Sequence, residues 1–356
     1  MKTERNPWFD NIKGILIFLV VFGHLIEIYR HFETHTSVLY IYNMIYAFHM
    51  PLFIIISGYF FRPNKPEKVI QLTFIFILWQ VINGLLSNWI NHNELITIAP
   101  DSRILAIFAP HWTMWYLIGI IVWSIITPYV LKLRFPLIFI LGFAIWISYI
   151  DNVPSWFSMR KLINFYPYFL IGYFLHQKNI LPLIVQKATS WKSPIRWGAL
   201  GIVTIFLFLV GLYTKNGMAT ELLFMRDEYA HYGWSIYKGA VVQILQYAST
   251  TVLSISLILL VTQKRKLFIF NNLGIYTLFI YLVHTNIVRV FREHVPEQIT
   301  NDPILLLVVS LLLSICICWI STFKPIVQLI SPLIQPDIKW MLKSYSTSDK
   351  NVPKEQ

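Results

Sequence analysis

Long apolar runs recur along almost the whole chain and are separated by short polar loops. A helix needs about 20 predominantly apolar residues to cross a bilayer. The pattern predicts an all-α, polytopic integral membrane protein with about ten transmembrane helices. The candidate spans are 14–31, 39–61, 69–90, 113–131, 135–150, 162–177, 197–213, 239–261, 273–292 and 303–322.

The last stretch of the chain differs from these spans. Residues 323–343 are apolar but interrupted by Pro325, Pro332 and Pro336, which predicts a segment lying along the inner membrane surface. Residues 344–356 are polar and are predicted to form a disordered cytoplasmic tail. We therefore expect one membrane domain over residues 1–343, and no cleavable signal peptide, since the first apolar run lacks a small-residue cleavage site.

Composition and charge narrow the class of protein. The 356 residues are 56% hydrophobic and only 13% charged, whereas a soluble domain carries about 25% charged residues. The net charge of +12 would also suit nucleic acid. However, most of the 29 lysine and arginine residues lie in loops that face the cytoplasm if the amino terminus does. This asymmetry predicts a multi-pass protein of the plasma membrane with both termini cytoplasmic and no nucleic-acid partner.

Polar residues interrupt the first apolar helix on one face. At about 100° per residue, Asp10, Lys13, His24, Glu27 and His31 form a stripe. Such a stripe must face protein or water rather than lipid. Glu27 is placed to accept a hydrogen bond from one nitrogen of His24, which would leave the other nitrogen as a base. The alternative is a structural histidine, hydrogen-bonded within packed helices.

Other polar residues lie near the ends of later spans. His49 lies near the outer end of the second span, and Arg62 lies at its inner end, where it is either a topology anchor or a phosphate contact. Ser57 and Gly58 favour close helix packing. His284, in the outer half of the ninth span, either lines a path for a substrate or is a core histidine.

Two segments together resemble a known family. The run RNPWFDNIKGILIFLVVFGH at 5–24, followed by FHMPLFIIISGYFF at 48–61, is similar to acyltransferase family 3, especially its fucose 4-O-acetylase-like branch. Three later segments fit the same family: HWTMWYLIGII at 111–121, FYPYFLIGYFL at 165–175 and LGIYTLFIYLVHTNIV at 273–288.

The resemblance implies that 1–343 is a membrane acyltransferase domain, which moves an acyl group, usually acetyl, from cytoplasmic acyl-CoA to an extracytoplasmic sugar hydroxyl. By position, His24 matches the family's catalytic histidine, and Arg5, Asp10 and Lys13 match its charged lead. Many members carry two arginines on an inner loop. Here that loop holds a single arginine with two lysines.

The basic inner residues agree with a coenzyme A donor. Its pyrophosphate and 3′-phosphate suit Lys and Arg side chains. His24 lies about 16 Å along the helix from Lys13, a gap that a pantetheine arm could bridge. The predicted donor residues are Arg5, Lys13, Arg62, Lys65 and Lys68. The alternative for each of them is a role as a topology anchor.

The acceptor side is less defined. The outer loop 214–238 mixes charges with aromatic rings, which suits sugar recognition, although an ordinary solvated loop has the same composition. We predict His49, His284 and Trp234 as substrate contacts. We predict Trp112 and Trp115 to belong to the interfacial aromatic belt.

The favoured hypothesis is an O-acetyltransferase with acetyl-CoA as donor, a cell-surface polysaccharide or its precursor as acceptor, and no metal. His24, Glu27 and Asp10 are its predicted catalytic group. Either His24 deprotonates the sugar hydroxyl, or it takes the acyl group itself and passes it outward. The alternative function is an exporter that uses the polar stripe as a proton path. Because we find no inverted repeat typical of transporters, the enzyme is favoured.

Overall fold

The computed structural model describes residues 6–28, 36–63, 65–96, 108–188, 193–261 and 266–338, and the regular secondary structure of these ranges is entirely helical. The all-α prediction is confirmed. The α-helices are α1 Pro7–Ile26, α2 Thr36–Tyr46, α3 His49–Phe60, α4 Pro66–His92, α5 Trp115–Val130, α6 Pro136–Ile147, α7 Met159–Gln177, α8 Ile180–Lys187, α9 Pro194–Lys215, α10 Ile236–Leu260, α11 Phe268–Ile275, α12 Thr277–His294, α13 Glu297–Asn301, α14 Pro303–Ile320 and α15 Lys324–Ile334.

Within these ranges, seven helical segments are long and apolar enough to cross a membrane. They contain α1, the α2–α3 pair, α4, α5, α9, α10 and α14. The α11–α12 pair makes an eighth only if the two bent helices count as one span. The protein is therefore a multi-pass membrane protein. The predicted spans 135–150 and 162–177 coincide with α6 and α7, and the total of ten spans and the cytoplasmic termini remain predictions.

The ninth predicted span is not one straight helix. Helix α11 ends at Ile275, α12 begins at Thr277, and the two axes differ by 84°. The Thr277 hydroxyl donates to the Gly274 carbonyl at 2.7 Å, which satisfies one backbone acceptor at the break. The predicted span 273–292 therefore contains a break at Tyr276.

Helix α1 begins at Pro7, well before the predicted start of the first span at residue 14. The Asn6 side chain caps the helix by accepting from the Trp8 amide at 3.0 Å, and proline suits the first helical position. The polar first turns are buried rather than placed in water. For example, Asn11 is fully buried and its Oδ1 accepts from the Leu267 amide at 3.1 Å.

Glycines let two helix pairs cross with their backbones in contact. A Cβ at Gly14 of α1 would overlap the Phe270 carbonyl oxygen of α11, and one at Gly58 of α3 would overlap the Phe169 carbonyl oxygen of α7. Membrane helices commonly pack through small residues in this way. The packing interpretation of Gly58 is confirmed, and the two crossings fix α1 and α3, the helices that carry His24 and His49.

We expect Gly58→Ala to destabilise the protein by about 1–3 kcal/mol, because the added methyl group must push α3 away from α7. The thermal unfolding midpoint of purified protein in detergent measures this effect. Gly142→Ala on α6 is the matched control, since no heavy atom lies within 4 Å of the added Cβ. Equal unfolding midpoints for the two variants would contradict the close crossing.

Helix α15 has 11 residues and packs against α4. The Trp79 indole of α4 donates to the Leu333 carbonyl at 2.9 Å. The predicted surface location of 323–343 is untested. Residues 339–343 and the predicted disordered tail 344–356 lie outside the described residues.

Candidate active site

One cavity of about 1270 Å³ follows the polar face of α1. From Asp10 onward, the α1 residues on its wall lie three or four positions apart, which is the spacing of a single helix face, and Phe9 adjoins them. The described members of the predicted stripe are thereby brought onto one surface, with two apolar residues between them. His31 lies outside the described residues. These wall residues are Asp10, Lys13, Ile17, Val20, His24 and Glu27.

The inner end of the cavity, which faces the cytoplasm in the predicted orientation, is basic. Lys13, Arg62, Lys65 and Lys68 all line it. The Arg62 guanidinium donates to the Phe61 carbonyl at 2.8 Å, so part of its donor capacity is already used. The structure thus brings together four of the five cations predicted to hold the donor, and the fifth, Arg5, lies outside the described residues.

Asp10 also lies at this inner end. Its carboxylate is 2.7 Å from the Lys13 ammonium, and about 21 Å of helix separates Asp10 from His24. The structure therefore does not bring Asp10 to the His24 imidazole, and a catalytic role of Asp10 stays a prediction. The contact that its carboxylate makes is with Lys13.

His24 is held from one side by two oxygens. Its Nδ1 lies 3.1 Å from Glu27 Oε2 and 2.9 Å from the Tyr46 hydroxyl. Because an ionised carboxylate only accepts hydrogen bonds, it favours the tautomer with hydrogen on Nδ1, which leaves a lone pair on Nε2. Arg292 Nη1 lies 3.7 Å from the same Glu27 oxygen and supports its negative charge. The predicted pairing of His24 with Glu27 is present.

Aromatic rings enclose the imidazole. The Trp112 ring packs edge-on at 4.6 Å and the His284 ring stacks at 5.6 Å from His24. Trp112 and Trp115 both line the cavity, so they contribute to the site, and their assignment to an interfacial belt stays a prediction. His24 is only 8% exposed. A bound molecule would reach the ring through the cavity that His24 lines.

The other two predicted histidines have different surroundings. His49 lines the cavity, is buried, and its Nδ1 lies 2.8 Å from the Ile45 carbonyl. His284 is fully buried, and its Nδ1 lies 2.9 Å from the Ile280 carbonyl. His284 is absent from the cavity wall. It stacks on the His24 ring, and its predicted contact with a substrate stays a prediction.

The outer end of the cavity is formed by the 152–161 segment and by part of the predicted sugar-recognition loop. Arg160 donates to Glu228 and, through Nη2, to the Ile150 carbonyl at 2.7 Å. The Lys161 ammonium lies 4.2 Å from the centre of the Trp115 ring. The loop residues on the wall are Leu223, Phe224, Arg226, Asp227 and Glu228.

Trp234, a predicted substrate contact, is not on this wall. Its ring packs at 5.0 Å against Tyr232 and at 6.5 Å against Tyr229. The loop therefore contributes to the outer end through residues 223–228, while Trp234 holds the loop together behind them.

Comparison with known proteins places this architecture in a family. A family model described as an acyltransferase domain matches residues 6–323. The chain belongs to acyltransferase family 3. The match begins at Asn6, the cap of α1, and covers both crossings and the whole cavity wall, so the predicted family is confirmed.

Two curated proteins are similar over part of the acyltransferase chain. Nodulation protein NolL of Mesorhizobium japonicum is 26% identical over 240 residues, covering 64% of this chain and 61% of the relative. Nodulation protein NolL of Sinorhizobium fredii is 29% identical over 193 residues, covering 49% and 50%. The chain thus spans between half and two thirds of the length of these relatives. No solved structure matches it.

The ion pair at the outer end predicts a pH dependence. Hydrogen bonding from Arg160 lowers the pKa of the Glu228 carboxyl below its usual range. A depressed carboxyl pKa stabilises the folded form above the usual carboxyl range, and that stabilisation is lost as the pH falls through the depressed value. We expect the protection of amides in residues 223–228, measured relative to their intrinsic exchange rate at each pH, to fall as the pH is lowered from 7 to about 3. Glu228→Gln should exchange faster already at pH 7, and an unchanged rate would contradict the pairing.

Several residues of the site were not predicted from the sequence. Tyr46 and Lys161 line the cavity, and Arg292 lies beside it, 3.7 Å from Glu27. Trp112 had a usable signal, because it lies in the HWTMW segment that carries the family resemblance. For the other three no local pattern marks a cavity residue, since each meets the site only through tertiary packing.

Proposed function

We propose that the protein is an O-acetyltransferase of the plasma membrane. It moves an acetyl group from cytoplasmic acetyl-CoA to a hydroxyl of a cell-surface polysaccharide or its precursor. The observation that carries this proposal is a cavity that joins a basic inner end, an imidazole with a free ring nitrogen, and a polar outer end. Membership of an acyltransferase family supports the same chemistry.

The proposed donor site follows from the positive charge of the inner end and from the length of the pantetheine arm. Lys13, Arg62, Lys65 and Lys68 would hold the phosphates of acetyl-CoA, and Arg5 is proposed for the same role on the basis of the family resemblance. Between these cations and His24, the α1 wall presents the apolar side chains of Ile17 and Val20, against which a pantetheine arm would lie. Its length matches the roughly 16 Å of helix between Lys13 and His24.

The reacting groups are proposed at His24. Its Nε2 acts on the thioester or on the acceptor hydroxyl, while Glu27 fixes the ring and stabilises positive charge on it. Tyr46 and Trp112 keep the ring in position. In this proposal Asp10 acts only through Lys13, as a positioning residue.

The acceptor is proposed to enter at the outer end. A sugar offers apolar ring faces and polar rims, and the outer wall offers both kinds of partner: the rings of Trp115 and Phe224, and the charged groups of Lys161, Arg226 and Asp227. His49 lies on the same wall and is proposed to contact the acceptor. His284 and Trp234 would act from behind the wall.

The test uses membrane vesicles that contain the protein, acetyl-CoA labelled in the acetyl group, and the surface glycan of a strain lacking the gene. We expect labelled acetyl on the glycan and an equal amount of released coenzyme A thiol. Saponification should release the label, as an ester requires. An exporter would move the glycan across the membrane without consuming acetyl-CoA, and that result would overturn the proposal.

A further inference from the structure

The tautomer of His49 is fixed by a backbone group. Its Nδ1 lies 2.8 Å from the Ile45 carbonyl oxygen, and a carbonyl oxygen only accepts hydrogen bonds. Nδ1 therefore carries the hydrogen, and Nε2 keeps a lone pair. Since the ring lines the cavity, this second nitrogen is the one available to a bound molecule.

The cavity thus holds two imidazoles, each with Nδ1 engaged and Nε2 free. Tyr46 lies between them: its hydroxyl is 2.9 Å from His24 Nδ1, and its ring packs at 4.5 Å against the His49 ring. The two histidines differ in their partners. His24 has a carboxylate that can take charge from the ring, whereas His49 has a neutral carbonyl.

This difference suits two separate roles. A histidine that becomes acylated on Nε2 must lose its Nδ1 hydrogen to become a neutral acyl-imidazole, and Glu27 can accept that hydrogen from His24. A histidine whose Nδ1 hydrogen is held by a carbonyl keeps it, and works instead as a base through Nε2. His49 also lies within electrostatic range of Lys161, a residue of the outer end.

We propose that His49 is the catalytic base for the acceptor hydroxyl and that His24 carries the acetyl group between the two halves of the reaction. This inference rests on the proposed function. It assigns the base role to His49 and the carrier role to His24, so that each half of the reaction has its own imidazole.

The steps balance as follows. In the first half, His24 Nε2 attacks the thioester carbonyl carbon, the carbon–sulfur bond breaks, and the departing thiolate receives the proton that His24 Nδ1 releases through Glu27. In the second half, His49 Nε2 takes the acceptor hydroxyl proton while the oxygen attacks the acetyl carbon and the carbon–nitrogen bond breaks. That proton returns to His24, and the Tyr46 hydroxyl, 2.9 Å from His24 Nδ1, is placed to deliver it.

The test is a single-turnover experiment on purified wild-type protein and His49→Asn. The asparagine amide can still donate to the Ile45 carbonyl, but it has no group at the Nε2 position. With acetyl-CoA alone, we expect both proteins to release about one thiol each and to become heavier by one acetyl group in native mass spectra recorded at neutral pH on rapidly chilled samples, because acid would hydrolyse an acyl-imidazole. After glycan is added, wild type should transfer the acetyl group, whereas His49→Asn should keep it, with transfer slowed by about 10²–10⁴-fold.

The controls separate the possible outcomes. His294→Asn, an exposed histidine on α12, should behave as wild type, and His24→Ala should show no acetyl-protein. His49→Ala should regain transfer with added imidazole. Transfer by His49→Asn at the wild-type rate, transfer by wild type without an acetyl-protein, or equal loss of both halves in folded His49→Asn would overturn the inference. If the wild-type protein performed neither half reaction, the proposed function itself would be contradicted.

Discussion

Replacing His24 with alanine is expected to reduce acetyl transfer to the glycan by about 10²–10⁴-fold or more. The variant loses the cavity-wall imidazole that Glu27 contacts, and among the described residues no other imidazole makes that contact. The fold should persist, since α1 is held by its Asn6 cap and by the crossing with α11 rather than by the His24 ring. Glycan-bound acetyl and the unfolding midpoint, measured on the same preparation, check both statements.

His294→Ala is the matched control for this variant. His294 is exposed at the carboxyl end of α12, so its removal should leave both transfer and the unfolding midpoint unchanged. If His24→Ala transferred acetyl at the wild-type rate, the catalytic assignment would fail. A fall in transfer accompanied by loss of the folded protein would show a structural role instead.

The polar stripe on α1 illustrates what the sequence contains. Lys13, His24 and Glu27 share one face of a helix, and helix geometry alone predicts that they face away from lipid. Their meeting with the basic inner loop at Arg62 also followed from charge asymmetry. The residues of the stripe are close together in sequence, and the charge asymmetry is a pattern summed over the whole chain.

The outer end of the cavity illustrates what the sequence does not contain. Arg160 on α7 and Glu228 after α9 form an ion pair across 68 residues of sequence. No periodicity relates such distant positions, and no short motif marks either residue. The same limit applies to Arg292, whose contact with Glu27 exists only because α12 packs against α1.

The break at Tyr276 was missed for a different reason. Residues 273–292 are apolar over most of their first half, and a hydropathy window detects apolar length but not a change of direction. The contacts that explain the break are tertiary: the Gly274 backbone lies against the Asp10 carbonyl. A straight helix over the whole segment could not keep this crossing and also bring His284 behind His24.

Placing tryptophan at Val20 is expected to abolish acetyl transfer while weakening coenzyme A binding only in part, because the phosphates still reach the basic inner end. Val20 lies on the cavity wall one turn before His24, between that histidine and the basic inner end. The indole would fill the passage along which the pantetheine arm must lie, and a misplacement of about 1 Å can already cost about 10²-fold in rate. Equilibrium binding of coenzyme A and acetyl transfer, measured side by side, separate the two effects.

Two variants make this experiment decisive. Val20→Ala widens the passage and should keep transfer close to the wild-type rate. Ile205→Trp adds the same indole to an exposed position on α9 and should also transfer normally. If Val20→Trp transferred acetyl as well as Ile205→Trp does, the donor would reach His24 by another route, and the cavity would no longer account for chemistry between the two faces of the membrane.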